Sequence, residues 1–183
     1  MIIESAVSTD RGQVEQVDHG RFRWVAFGLA AAVALALDLV TKRLIQVTFD
    51  VGEYRHIVGG LRLQHAINDG VAFGLLSGRR SFILVAAGLA FLAILAYVFV
   101  DRRPIAAVAG GLMAGGSLGN LAERVVNGHV TDFLDVPYWP TFNVADTFIA
   151  IGVALMAFGL LLELRSGPAS GSASGSVSGS SGR

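Results

Sequence analysis

The chain contains no cysteine, so disulfides, thiolate nucleophiles and cysteine-ligated metals are excluded from its chemistry. Charge is scarce as well: only 15% of its 183 residues are Asp, Glu, Lys or Arg, where a soluble domain carries about a quarter. The 14 basic and 14 acidic residues balance, leaving no positive excess of the kind that marks a nucleic-acid partner. What fills the sequence instead is apolar. With 53% hydrophobic residues and a mean hydropathy of +0.60, the chain has too little polar surface to face water on all sides, and the partner to expect is membrane lipid.

Four long apolar runs predict an all-α membrane protein, a bundle of four transmembrane helices. The first covers 24–47: it is apolar from Trp24 to Leu37, passes Asp38 and the Thr41, Lys42, Arg43 cluster, and closes on Leu44, Ile45 and Val47. At ~1.5 Å per residue that length crosses a bilayer. A cleaved secretory signal ending at Ala34, Leu35, Ala36 fits less well, because the leading segment is long and the polar residues after Leu37 recur at helical spacing. The second run, 82–100, is uninterrupted and flanked by Arg79, Arg80 and by Asp101, Arg102, Arg103. The third, 105–121, is rich in glycine, and the fourth, 144–162, has Asp146 near its start. Gly111, Gly115 and Gly119 are spaced four apart, as two overlapping GxxxG units that let a partner helix come close. A phosphate-loop reading of these glycines fails, since neither a preceding strand nor a following lysine is in register.

The remaining segments have other characters. Residues 1–23 are mixed polar and charged and read as a mobile N-terminal tail; 166–183 form a Gly/Ser tail that cannot bury a core. The domain proper is therefore expected over 24–165. The connection 48–80, with alternating Leu61, Arg62, Leu63 and Gln64 and several glycines, predicts a small extramembrane sheet or hairpin between the first and second helices. Four spans put both termini on one side. Basic residues divide evenly between the two sides, so charge alone does not orient the bundle; if Lys42 and Arg124 belong to a site, the balance tips toward cytoplasmic termini. Trp24, Tyr138 and Trp139 flank apolar ends, where aromatic rings anchor at the interface.

Ionisable groups at membrane depth are costly and face the bundle interior, which makes each a candidate for function. Asp38 and Lys42, four apart, share one face of the first helix, as a structural ion pair or as part of a site. Asn120, Glu123 and Arg124 make a polar face at the end of the third helix, and Asn143 with Asp146 makes another at the start of the fourth. The 22 residues between the third and fourth apolar runs, 122–143, contain Asp132 and Asp135. Two readings stand: a catalytic or transport site, or a helix junction in which Asn143 and Asp146 only satisfy first-turn N–H groups. Two carboxyls brought together tend to share one proton, the state in which one activates water and the other hydrogen-bonds a scissile carbonyl. The helix dipole favours charge on Asp146, although the proton belongs to the pair. The four histidines lack ligand spacing, so no metal is expected.

The segments DLVTK (38–42), NDGVAFG (68–74), GGSLGNLAERVVNGHVTDFLDV (115–136) and FNVADTF (142–148) resemble, in order and spacing, the motif blocks of bacterial lipoprotein signal peptidase, or signal peptidase II. The resemblance covers roughly 24–165 and implies an intramembrane aspartyl endopeptidase with Asp132 and Asp146 as catalytic residues and Asp135 as a supporting carboxylate. It further implies that Asn68, Gly70, Asn120, Arg124 and Asn143 shape the substrate site, that Asp38 and Lys42 brace the first helix, that a small extramembrane β-rich cradle forms within 48–80 between the first and second helices, and that no cofactor is used. The implied substrate is a prolipoprotein cut before a diacylglyceryl-modified cysteine. The implied location is the bacterial inner membrane, with the site toward its outer face and open to cyclic peptide inhibitors of the family. Where the family usually has Asp before the arginine of the GNL block, this chain has Glu123, which puts the local hydrogen bonding in question. A small proton-coupled transporter or channel is the main alternative, and a non-catalytic scaffold the third. A GxGD-type intramembrane protease is disfavoured, because neither Asp132 nor Asp146 follows such a block.

Overall fold

A computed structural model describes residues 2–70 and 80–166. Seven elements follow in order: α1 (Ile2–Thr48), β1 (Tyr54–Val58), β2 (Leu61–Asn68), α2 (Arg80–Val100), α3 (Pro104–Val126), β3 (Val130–Asp135) and α4 (Val144–Ser166). The four expected spans are all present, and each helix holds a stretch long and apolar enough to cross a membrane. One boundary is corrected. The first helix does not begin near Trp24 but at Ile2, so the backbone of the segment read as a tail is helical, and the apolar stretch itself is Gly20–Thr48. Helix propagation adds one hydrogen bond per residue to a nucleus already formed, and no proline interrupts residues 1–23. The Gly/Ser segment beyond Ser166 and the 71–79 part of the long connection lie outside the described residues.

Helix α3 is the axis of the bundle. Across its apolar stretch 56% is buried, against 11%, 17% and 11% for α1, α2 and α4, so the outer three turn most of their surface to lipid. Small residues make this possible. A Cβ on Gly115 would stand 2.3 Å from the carbonyl oxygen of Ala31 on α1, and one on Gly116 would stand 2.6 Å from that of Ala145 on α4. The GxxxG reading therefore holds: α3 packs backbone to backbone against α1 along Gly111 and Gly115, Gly119 leaves room for the Asp38 side chain, and Gly116 meets α4 on the other side.

Helix ends carry the signals their positions require. Pro104 opens α3, where a missing N–H costs nothing, and Gly128 follows its end with φ 86°, a conformation that lets the chain turn sharply. There Arg103 ties the bundle's other end together: it donates to Asp101 and to the Gly159 carbonyl and lies 3.1 Å from Glu163. The Arg103 hydrogen bonds hold the Asp101 carboxyl well below the usual range.

The cradle is a three-stranded antiparallel sheet, ordered β1-β2-β3. Two strands form the hairpin expected within 48–80; the third comes from the α3–α4 connection, which the sequence pattern did not reveal. Ile45 of α1 and Phe49, just past its end, pack with Phe133 of β3, with Leu63, Leu134 and Val144 around them. That apolar plug seats the sheet on the bundle.

Candidate active site

The path from β3 to α4 is short and folds back on itself. Leu134 and Phe142 pair antiparallel, exchanging hydrogen bonds of 2.8 and 3.0 Å, across a turn in which Tyr138 takes φ 66°. This return places Asn143, the residue after Phe142, beside Asp132 on the strand just left. Asn143 then caps α4. Its Oδ1 accepts from the Asp146 N–H at 3.0 Å while Asp146 Oδ2 accepts from the Asn143 N–H at 3.3 Å, a reciprocal capping pair. The helix-junction reading of these two residues is correct as far as it goes.

It does not account for the other contacts. Asn143 Nδ2 donates to Asp132 Oδ1 at 2.7 Å, so one buried amide touches both carboxylate-bearing segments. Asn68 Nδ2, from β2, donates to the other Asp132 oxygen at 2.9 Å, and Asn120 Nδ2, from α3, donates to Asp146 Oδ1 at 2.8 Å. Asp132, Asp146, Asn68, Asn120, Arg124 and Asn143 all line one cavity of about 290 Å³. A second hollow of about 270 Å³ shares Asn68, Asp132, Pro140 and Thr141 with it, so open space continues on both sides of Asp132.

Asp132 is only 3% exposed. Burial is the main force that pushes its carboxyl up to about 6; the charge on Asp146 adds to the rise, while hydrogen bonds from Asn68 and Asn143 and the charge of Lys42 oppose it. Asp132 thus keeps its proton to a higher pH than an ordinary carboxyl does.

Gly70, Asp38 and Lys42 do not line the cavity. Gly70 braces two residues that do: its N–H donates to Asn68 Oδ1 at 3.0 Å and its carbonyl accepts from Arg124 Nη2 at 3.0 Å. Asp38 and Lys42 lie behind the cavity, fully buried, 2.8 Å apart. Lys42 Nζ also donates to Asn120 Oδ1 at 2.7 Å, and Asp38 Oδ1 accepts from the Ala145 N–H at 2.9 Å, which fastens α1 to the first turn of α4. Asp135 stands apart, paired with Arg62 across the sheet at 2.5 Å. Glu123 is buried and engaged by Lys42, Gln46 and Thr131.

Two residues here escaped sequence reasoning. Gln46 continues the Asp38, Lys42 spacing by four and could have been found from that periodicity. Thr131 carries no signal beyond its place before Asp132. Trp139 lines the cavity while remaining 64% exposed, so it belongs to the site's rim as well as to the surface.

The family model for Signal peptidase (SPase) II matches residues 30–162. A lipoprotein signal peptidase of Moorella thermoacetica is 38% identical over 139 residues, covering 74% of this chain and 93% of its own length. One from Symbiobacterium thermophilum is 40% identical over 147 residues, covering 76% and 96%. A bacterial membrane enzyme solved by the in meso method at 2.3 Å resolution matches with a TM-score of 0.71 and 31% identity, over 77% of this chain and 90% of that one. Fold and relatives together define a multi-pass membrane peptidase. The chain belongs to the signal peptidase II family.

Proposed function

We propose that this chain is an intramembrane aspartyl endopeptidase that removes the signal peptide from diacylglyceryl-modified prolipoproteins, cutting before the lipidated cysteine, with Asp132 and Asp146 as the catalytic pair. The observation that carries this reading is Asn143, which bonds Asp132 through its side chain and Asp146 through its cap, so that both carboxylates face one cavity.

The chemistry follows from the two environments. A pair sharing one proton has a carboxylate that takes a proton from water as its oxygen bonds to the scissile carbonyl carbon. The protonated partner hydrogen-bonds the carbonyl oxygen, and the proton later passes to the leaving amine as the C–N bond breaks. Asn68, Asn120 and Asn143 donate to carboxylate oxygens and hold both groups in place. Arg124, with its charge on the same cavity, offsets negative charge that develops there. Hollows on both sides of Asp132 suit an extended peptide that enters and leaves across the pair.

The site lies where α3 ends, α4 begins and the sheet sits, at one extremity of the bundle. A lipid-modified substrate suits that depth: its acyl chains stay among lipid while the peptide reaches the cavity. We place the termini in the cytoplasm and the pair toward the outer face of the inner membrane, and we expect cyclic peptide inhibitors of the family to occupy the same cavity. The test is cleavage of a diacylglyceryl-modified precursor by purified protein, beside Asp132→Asn and Asp146→Asn. Loss of turnover in both with the fold retained is expected; full turnover in either one overturns the assignment.

A further inference from the structure

Glu123, Thr131 and Gln46 stand behind the cavity and line none of it. We propose that Glu123 is a positioning residue: acting through Thr131, it sets where Asp132 stands relative to Asp146. The inference rests on the catalytic-pair reading above and concerns what holds that pair at its working separation.

Thr131 directly precedes Asp132 and is 0% exposed. Strand β3 pairs with β2 along one edge and meets Phe142 only at its far end, through Leu134, so the Thr131 N–H needs a partner from outside the sheet. For Thr131 that partner is Glu123: the Thr131 N–H donates to Oε2 at 2.9 Å and the hydroxyl donates to Oε1 at 2.9 Å. Gln46 Nε2 closes the triangle, donating to Glu123 Oε1 at 2.9 Å and to the Thr131 hydroxyl at 2.8 Å. Both carboxylate oxygens are therefore committed to one residue of β3.

The same device recurs on the other side. Asp38 accepts from the N–H of Ala145, the residue directly before Asp146, at 2.9 Å. Lys42 lies 2.8 Å from Asp38 and 3.2 Å from Glu123. Each member of the pair is thus preceded by a residue whose N–H is gripped by a buried carboxylate, and one ammonium joins the two grips. A displacement of about 1 Å at a catalytic group costs on the order of 100-fold in rate, so this frame governs turnover without touching substrate.

The test uses purified full chain in detergent with the diacylglyceryl-modified precursor. Glu123→Asp keeps the charge beside Lys42 and withdraws the reach; Thr131→Val keeps the shape and removes only the hydroxyl, leaving the Thr131 N–H bond to Oε2 in place, so it is the milder of the two variants. Each is expected to lower kcat by about tenfold to 100-fold with KM within about twofold, and to displace the pH–rate profile. The double variant should lose no more than Glu123→Asp alone, as expected of groups acting through one contact. Wild-type kcat and pH profile in folded Thr131→Val and Glu123→Asp would overturn the proposal, as would losses that multiply in the double variant. Failure of the underlying reading is separate, since it would appear as an active Asp132→Asn.

Discussion

Asn143 sits between Asp132 and Asp146 with a side-chain amide 2.7 Å from one carboxylate and a carbonyl oxygen 3.0 Å from the backbone N–H of the other. One side chain therefore does two separable things. Its oxygen caps a helix and its nitrogen holds a carboxylate.

Substitution of Asn143 by Asp separates them. Asp keeps the cap but sets a buried carboxyl against Asp132 Oδ1, so it should cost about 1–3 kcal/mol of stability unless it takes up a proton, while the lost amide donor should lower kcat by about 100-fold or more. Asn143→Ala should lose the same turnover and, in addition, about 1 kcal/mol of cap stability. Thermal unfolding in detergent beside precursor cleavage measures both; an active Asn143→Asp would show that the amide bond to Asp132 is dispensable.

Gly119 allows a different check. A Cβ there would stand 2.3 Å from Asp38 Oδ2, so Gly119→Ala must displace the carboxylate that meets Lys42 and the Ala145 N–H. Overpacking of this kind costs about 1–3 kcal/mol, and the unfolding temperature should fall accordingly. Gly28→Ala on α1 is the control: nothing lies within 4 Å of its Cβ, and its stability should hold or rise slightly through better helix propensity.

Lys42 balances two buried acids, Asp38 and Glu123. Lys42→Met leaves both without their cation, and breaking a buried pair on one side costs roughly 3–5 kcal/mol. Poor yield or a markedly lower unfolding temperature is expected. Wild-type stability in Lys42→Met would show that the ammonium does not hold the two acids in place.

Asp132 makes stability depend on pH in a definite direction. Its carboxyl rises from 3.8 to about 6 on folding, so between those values the folded chain binds more protons than the unfolded one. The contribution of Asp132 to stability therefore falls as pH rises from about 4 to about 6 and is level above that. At about 1.4 kcal/mol per unit, the change is on the order of 1–3 kcal/mol. Unfolding of wild type and Asp132→Asn across pH 4–8 should show the wild type losing ground through this window, then a constant difference. Parallel curves throughout would place the proton elsewhere.

Much of this was readable in advance because the membrane makes polar residues conspicuous. Asp38, Lys42, Asn120, Arg124 and Asp146 stand out against apolar runs, and lipid leaves such groups nowhere to go but inward. Asp132 was harder. The segment VTDFLD shows no alternation, and its strand exists only because β2 is there to pair with it and Leu134 meets Phe142, contacts that no local window contains. The helical start at Ile2 was missed for the opposite reason: a polar segment has no periodicity to announce a helix, yet it continues one already begun. Glu123 was visible as a charge, but its reach to Thr131 was not, because that contact depends on where β3 comes to rest.

The sheet and every residue bonded to the carboxylate pair gather at one end of the four helices, while the Arg103 strap closes the other. A molecule of this build is vectorial: it can serve only one leaflet. Reconstituted at random into sealed liposomes, a population with precursor supplied from outside should stall with its inward-facing members idle, and detergent should release that remaining capacity at once.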